Sequence, residues 1–267
     1  MKKLYGFSGD HDEILVTALK ADPILAFEYD QLVPEMKTLL INGLKANFNI
    51  GQLVQGESTA AALKSLVGLR PDEFNLFVSH IFFDIAGALG HIAPAGSKLM
   101  TENLYSGIRI ILEEVPALLN GSANVLQVYF KIMQAIGKLI NIEVKTIEDM
   151  TLLRMAKLLG VDSALSYGEF RSTFNQLVPL EQNKLLQGFA VSGFDDGLAL
   201  LPYYGPRVLK FIEKGLSKNG QVVVDKIESY QLTLASFVKV LAAFTKKTAR
   251  RTDIGVYTLE FTDCFVK

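Results

Sequence analysis

Two of the three histidines in this 267-residue chain lie on one predicted helix together with acidic side chains. At 100° per residue, Glu73, His80, Asp84, Gly87 and His91 fall within an arc of about 60°. Nearly every other residue of the segment is apolar, so we expect the helix to be largely buried. A buried polar stripe has to be paired, hydrogen-bonded or bound to a ligand.

His80 and Asp84 are four residues apart, so their side chains meet on adjacent turns of a helix. In this arrangement both residues bind one metal ion, or the carboxylate orients an imidazole that binds it. His91 lies about 10 Å further along an ideal helix, and it joins the site only if the helix breaks at Gly87 or Gly90. Further ligands must come from other helices, and the candidates are His11 with Asp12, Asp149 or Asp162.

A second interpretation of the His80–Asp84 pair is structural, because a His–Asp hydrogen bond inside a helical core fixes packing without any ligand. Gly87 and Gly90 fit both interpretations, since small residues leave room for a ligand or allow helices to approach closely.

Ligand-binding candidates lie in two other segments: Lys98, Arg109, Tyr203, Tyr204 and Arg207. The tyrosines and Arg207 belong to a stiff aromatic loop after Asp195-Asp196-Gly197, where backbone amides and a guanidinium would hold an anion. The alternative is an ordinary loop whose tyrosines cover the core. Arg109 has an alternative partner in Glu113, four residues along the same helix.

The sequence predicts an all-α fold of about ten helices in one domain, residues 1–267, with a weak boundary near 141–146. Prolines, caps and glycines mark the helix ends. The predicted helices are Pro23–Tyr29, Pro34–Ala46, Thr59–Val67, Pro71–His91, Ser97–Glu114, Ser122–Ile140, Met150–Leu159, Ser163–Leu177, Pro179–Val191, Pro206–Leu216 and Gln221–Thr245. Only Val256–Val266 alternates like a strand, and we expect it to be an extended tail that docks rather than a sheet.

Composition restricts the partners and the location of the protein. A net charge of −1 gives no global field that would attract nucleic acid. No stretch reaches the roughly 18 unbroken apolar residues of a membrane span. The single cysteine, Cys264, and the absence of a signal-like N-terminus favour the cytoplasm. Because 49% of the residues are apolar, we expect a homo-oligomer or a protein partner, with a small-molecule ligand as the other option.

The run from Phe83 to His91, followed by Pro94 and Gly96, resembles the metal-binding helix and loop of HD-domain phosphohydrolases. The resemblance implies that Asp84 corresponds to the aspartate of the family's His-Asp dipeptide and His11 to its earlier histidine. Phe83 stands where the dipeptide has histidine, and phenylalanine cannot bind a metal. The resemblance therefore implies a site that is lost, or one rebuilt with His80 one turn earlier.

Two functional hypotheses follow. The favoured one is a helical ligand- or partner-binding protein derived from an HD-like hydrolase fold with an incomplete metal site. The alternative is a metal-dependent phosphohydrolase of a nucleotide or phosphate ester, in which a metal on His80 and Asp84 activates water. The cofactor stays open, with a divalent metal as the candidate.

Overall fold

The computed structural model describes residues 11–46, 48–87, 100–189, 200–203, 217–218, 221–222, 230–235, 250–251 and 257–260. The helices are α1 His11–Ala21, α2 Pro23–Asp30, α3 Pro34–Lys45, α4 Ile50–Val54, a 3-10 helix Ala60–Leu66, α5 Pro71–Gly87, α6 Glu102–Glu114, α7 Pro116–Leu119, α8 Val125–Leu139, α9 Ile147–Leu158, α10 Ala164–Asn175 and α11 Pro179–Gly188. Residues 230–235 are also helical. The prediction of an all-α fold is confirmed. Within the described residues no helix is both long and apolar enough to cross a membrane.

The chain groups into two compact units, and each unit contains two separate stretches of sequence. The first unit consists of Met1–Phe48 and Ser65–Ser122, and the second of Asn49–Lys64 and Ala123–Lys267. The predicted weak boundary near 141–146 lies inside the second unit. The expectation of one domain stays a prediction.

In the first unit, α3 packs against both α1 and α5. Gly43 of α3 allows a close approach to α5, because an added Cβ would lie 3.2 Å from the Leu76 side chain and 3.4 Å from the Glu73 carbonyl oxygen. The core of this unit is aliphatic and aromatic, and its buried members include Ala18, Ile41, Leu44, Phe74, Phe77, Ile108 and Ile111.

In the second unit, α9 is the central helix and packs against α8, α10 and α11. Every residue of α9 from Met150 to Ala156 is buried, including a charged one, Arg154. A helix that is buried on all sides has to satisfy each of its polar groups within the protein.

The helix ends follow the local signals in the sequence. Asn124, Thr146 and Ser163 each accept a hydrogen bond from a backbone amide three residues on, and capping boxes start α8, α9 and α10. Prolines occupy the first turns of α3, α7 and α11, where the missing N–H costs no helical hydrogen bond.

Short strands follow the helices of the second unit. They are β1 Leu200–Tyr203, β2 Ser217–Lys218, β3 Gln221–Val222, β4 Arg250–Arg251 and β5 Tyr257–Glu260. β5 pairs in parallel with β1, with Leu200 opposite Tyr257, and antiparallel with β4. The extended segment predicted in the tail contains a strand, but the expectation that it would not form a sheet was wrong, because Tyr257–Glu260 pairs with β1 and β4. The prediction of a helix over Gln221–Thr245 was wrong at its start, because Gln221–Val222 forms strand β3 and pairs with β2.

Candidate functional site

The polar face of α5 contains one buried and paired carboxylate, at the start of the helix. Glu73 accepts a hydrogen bond of 2.7 Å from Asn42 Nδ2 and one of 2.9 Å from the Arg70 backbone N–H. The Arg70 guanidinium lies 3.3 Å from the same carboxylate. These contacts, led by the Arg70 backbone hydrogen bond, lower the pKa of Glu73. Glu73 thus anchors α3 to α5.

The rest of the face departs from the expected burial. The buried residues of α5 all lie in its first half, where it packs on α3, whereas Asp84 is exposed and His80 is half-buried. Phe83 is 70% exposed. The expectation that the helix would be largely buried was wrong for its second half, which extends beyond the contacts that Glu73 and Leu76 make with α3. An exposed Asp84 does not require a core partner.

The predicted metal ligands are not brought together in the part of the chain that the structure describes. No three His, Cys, Asp or Glu side chains there are grouped closely enough to hold a metal ion. The side chain of His11, and all of His91, lie outside the described residues. The metal site and the HD-domain resemblance stay predictions.

Of the five predicted ligand-binding residues, the structure describes the side chain of Arg109. Arg109 pairs with Glu113 on α6 at 3.5 Å, and both side chains are exposed, so the alternative partner is confirmed. Tyr203 ends β1 opposite Glu260. Its side chain, together with Lys98, Tyr204 and Arg207, lies outside the described residues.

A buried guanidinium in the second unit binds three backbone carbonyls. Arg154 is 0% exposed, and its Nε donates to the Gly56 carbonyl at 2.7 Å. Its Nη2 donates to the Glu57 carbonyl at 2.7 Å, and its Nη1 to the Phe189 carbonyl at 3.0 Å. Tyr129 OH donates to the next carbonyl of the loop, that of Ser58, at 3.0 Å. Two side chains therefore satisfy three consecutive carbonyls of the buried segment 56–59, called the 56–59 loop below.

The 56–59 loop also carries a buried acid. Glu57 is 5% exposed, and burial raises the pKa of its carboxyl to about 7, although the Arg154 charge acts in the opposite direction. Burial lowers the pKa of Arg154 to about 10, so the guanidinium stays charged at neutral pH. Burial also raises the pKa of Tyr129 to about 12. The Thr59 hydroxyl is buried and has no hydrogen-bond partner among the described residues.

This cluster was not among the residues that the sequence predicted to be functional. A usable signal was present, because Arg154 is the only charged residue in the run Met150–Ala156. Its acceptors lie 98, 97 and 35 residues away along the chain, and no periodicity relates them to it.

An open groove lies at the end of α8, with a volume of about 540 Å³. Its polar lining residues are largely paired with each other. Lys145 lies 2.9 Å from Glu143, and Gln134 donates to the Val144 carbonyl at 3.0 Å. The groove therefore offers few free polar groups to a ligand.

A solvent-exposed apolar pair lies on α2 in the first unit. Ile24 is 76% exposed and Phe27 is 63% exposed. A bend at Asp22 separates α1 from α2, and the Asp22 side chain accepts a hydrogen bond of 2.9 Å from the Ile24 backbone N–H. Within α2, exposed Glu28 shares the face of Ile24 and Phe27, within about 100° of arc. We call Ile24, Phe27 and Glu28 the α2 face.

The opposite side of α2 is attached to α3. Lys37 lies 3.2 Å from Asp30 and 5.2 Å from the centre of the Tyr29 ring. Tyr29 and Ala26 are half-buried on this side. These contacts direct the α2 face toward solvent, with two large apolar groups followed by an anion.

Comparison with known proteins gives a family without a known activity. A family model described as a family of unknown function, DUF6829, matches residues 5–262. The chain belongs to this family. No curated protein and no solved structure matches the chain. The functional argument for this DUF6829 protein therefore rests on its own geometry.

Proposed function

We propose that this DUF6829 protein is a non-catalytic helical binding protein whose partner is a second copy of the same chain, bound through the α2 face. The observation that carries the proposal is the exposure of Ile24 and Phe27 on one side of one helix. Large apolar side chains grouped on a surface mark interaction sites more often than single ones do.

The apolar pair supports a second copy as the partner. A two-fold axis places the same residues of both copies in one interface. If the axis passes near Ile24, the two α2 helices run antiparallel, and the Ile24 and Phe27 side chains of the two copies pack against each other. The α2 face is therefore complementary to itself in apolar character.

The number of apolar side chains on the α2 face sets the expected affinity of the dimer. Burying one large apolar side chain contributes about 1.5–3 kcal/mol, and a two-fold contact buries four of them. Association costs roughly 4–15 kcal/mol, so we expect a dissociation constant in the micromolar range or weaker.

Sedimentation velocity over a roughly hundredfold range of concentration tests the proposal. The wild-type protein is expected to shift from monomer to dimer. Phe27→Glu is expected to weaken the dimer at least about hundredfold, because each dimer loses two buried phenylalanines and gains two buried charges.

Leu165→Glu is the matched control, because Leu165 is 77% exposed but lies on α10 in the second unit. It is expected to leave the dimer unchanged. A wild-type protein that stays monomeric at all concentrations would overturn the proposal, as would a dimer that Phe27→Glu does not weaken. A monomer that binds lipid vesicles would assign the α2 face to a membrane surface instead.

A further inference from the structure

The dipeptide Asn-Gly occurs three times in the sequence, as Asn42-Gly43, Asn120-Gly121 and Asn219-Gly220. In this dipeptide the backbone nitrogen of the glycine can attack the side-chain amide carbon of the asparagine, because glycine has no Cβ that would crowd the approach. The third pair lies outside the described residues. The structure places the other two in opposite environments, so their reactivity should differ.

The pair Asn42-Gly43 is held inside α3. Asn42 Nδ2 donates to the Glu73 carboxylate at 2.7 Å, so the group that would leave is anchored to α5. Gly43 is buried, and an added Cβ would lie 3.2 Å from the Leu76 side chain. Attack requires rotation of the backbone between the two residues, and this rotation would break the helical hydrogen bonds of α3. We therefore expect Asn42 to be stable in the folded chain.

The pair Asn120-Gly121 is exposed and follows α7, a helix of four residues. Asn120 Oδ1 accepts a hydrogen bond of 2.9 Å from the Ser122 backbone N–H. This bond closes a ring that contains both Asn120 Cγ and the Gly121 nitrogen, so it keeps the side chain beside the peptide that attacks it. The same N–H donates to the oxygen on which negative charge develops during the attack, and this stabilises the charge.

The surroundings of Gly121 leave its nitrogen accessible. Gly121 has a φ of +73°, and no atom lies within 4 Å of the position of an added Cβ. Its N–H donates to the Leu118 carbonyl at 3.1 Å, and this bond has to open before the nitrogen reacts. The bond closes a single turn at an exposed helix end, where opening costs less free energy than in the interior of a helix.

We propose that Asn120 is a site of spontaneous deamidation in the folded protein. The Gly121 nitrogen gives up its proton and forms a bond to Asn120 Cγ, while the Cγ–Nδ2 bond breaks and Nδ2 leaves with a proton as ammonia. Water then opens the resulting succinimide ring. Addition of water at Cγ gives aspartate, and addition at the main-chain carbonyl carbon gives isoaspartate.

The modification lies where the chain passes from the first unit to the second, since the first unit ends at Ser122. Both products add a negative charge two residues before this point. Isoaspartate also adds one methylene group to the main chain. Deamidation of Asn120 therefore alters the covalent connection between the two units.

Peptide mapping by mass spectrometry tests the proposal after incubation of the full chain under mildly alkaline conditions, where the peptide nitrogen loses its proton more readily. Deamidation replaces an amide by a carboxyl group, and synthetic peptides identify isoaspartate by its retention time. In the folded chain, Asn120 is expected to react at least about tenfold faster than Asn42. In the chain unfolded by guanidinium chloride, the two residues are expected to react at similar rates.

Gly121→Ala is expected to slow the reaction of Asn120 several-fold, because the methyl group crowds the attacking nitrogen. Gly160→Ala is the matched control, since Gly160 has a φ of +71° and equally open surroundings, and it is expected to leave the rate unchanged. Equal rates at Asn42 and Asn120 in the folded chain would overturn the proposal, as would an undiminished rate in Gly121→Ala. If Gly121→Ala does not fold, the comparison of the folded and unfolded wild-type chain decides alone.

Discussion

The buried polar residues in the core of the second unit depend most strongly on hydrogen-bond partners within the protein. Arg154 places a charge where water does not reach, and three backbone carbonyls in two segments depend on its donors. Removing one partner of a buried polar contact costs more than the contact contributes, because the remaining partner stays buried and unsatisfied. At the scale of single residues, stability therefore depends strongly on this side chain.

We expect Arg154→Leu to lower the free energy of unfolding by roughly 3–5 kcal/mol, because it leaves three buried carbonyls without donors. Arg109→Leu on the exposed surface of α6 is the control and is expected to change it by about 0.5 kcal/mol or less. Urea denaturation followed by circular dichroism measures both variants. A loss below about 1 kcal/mol in Arg154→Leu would show that the carbonyls find other donors.

Glu57 provides a pH-dependent prediction. Burial raises the pKa of Glu57 from an ordinary value of 4.5 in the unfolded chain to about 7 in the folded chain, so the folded state holds the proton more tightly. The contribution of Glu57 to stability is therefore full below about pH 4.5 and is lost as the pH rises to about 7. The loss amounts to about 3 kcal/mol for such a difference in pKa.

Urea denaturation across this pH range is expected to show that Glu57→Gln removes the corresponding decrease in stability. At about pH 8 the variant should be more stable than the wild-type protein. Equal pH dependence in the two proteins would contradict the assigned environment of Glu57.

At the scale of elements, the sequence predicted most helix ends because their signals are local. Capping residues such as Thr146 and Ser163 bind amides within the same turn. A proline such as Pro179 fits the first turn of a helix, where no N–H is needed, and so marks the start. The predictions fail where contacts between residues far apart in the sequence determine burial or secondary structure. Burial of α5 depends on where α3 ends against it, and the strand at Gln221 depends on pairing with Ser217–Lys218.

The approach of the 56–59 loop to α9 depends on one glycine. Gly56 has a φ of +80°, and an added Cβ would overlap the Arg154 carbonyl oxygen. We expect Gly56→Ala to destabilise the chain by about 3 kcal/mol or more, because it combines backbone strain with a clash against backbone. Thermal denaturation measures the effect.

Gly68→Ala separates the contribution of backbone strain from that of the clash. Gly68 has a φ of +91° and has no atom near the position of an added Cβ. This variant is expected to lose only about 1 kcal/mol, from strain alone. Similar losses in the two variants would contradict the close approach of the loop to α9.

At the scale of the whole molecule, the sequence did not show that the chain divides into two units made of separate stretches. Residues 49–64 belong with Ala123–Lys267, and the hydrogen bonds of Arg154 and Tyr129 to the 56–59 loop lie within that unit. These contacts join residues up to 98 positions apart, so no local pattern reveals them. The site at Arg154 was missed for the same reason. The partner or oligomer expected from the apolar excess stays a prediction.

Three carboxyl groups set the expected pH of maximum stability. Glu73 and Asp149 have lowered pKa values; burial opposes the shift at Asp149, and hydrogen bonds from Thr146 and Lys145 outweigh it. The contribution of Glu73 is lost as the pH falls below about 4.5 and that of Asp149 below about 3.8, whereas that of Glu57 is lost as the pH rises from about 4.5 to about 7. We therefore expect the melting temperature to be highest between about pH 4.5 and about pH 5. A maximum above pH 7 in a melting series would contradict this balance of charges.

The association of two chains through the α2 face is the central claim, and cross-linking at Ile24 tests it most directly. In a Cys264→Ser background, Ile24→Cys places the only thiol of each copy next to the proposed two-fold axis. Mild oxidation is expected to give a covalent dimer in high yield, and Leu165→Cys in the same background is expected to give little. A monomer after oxidation of the Ile24→Cys variant, or equal dimer from both variants, would contradict the claim.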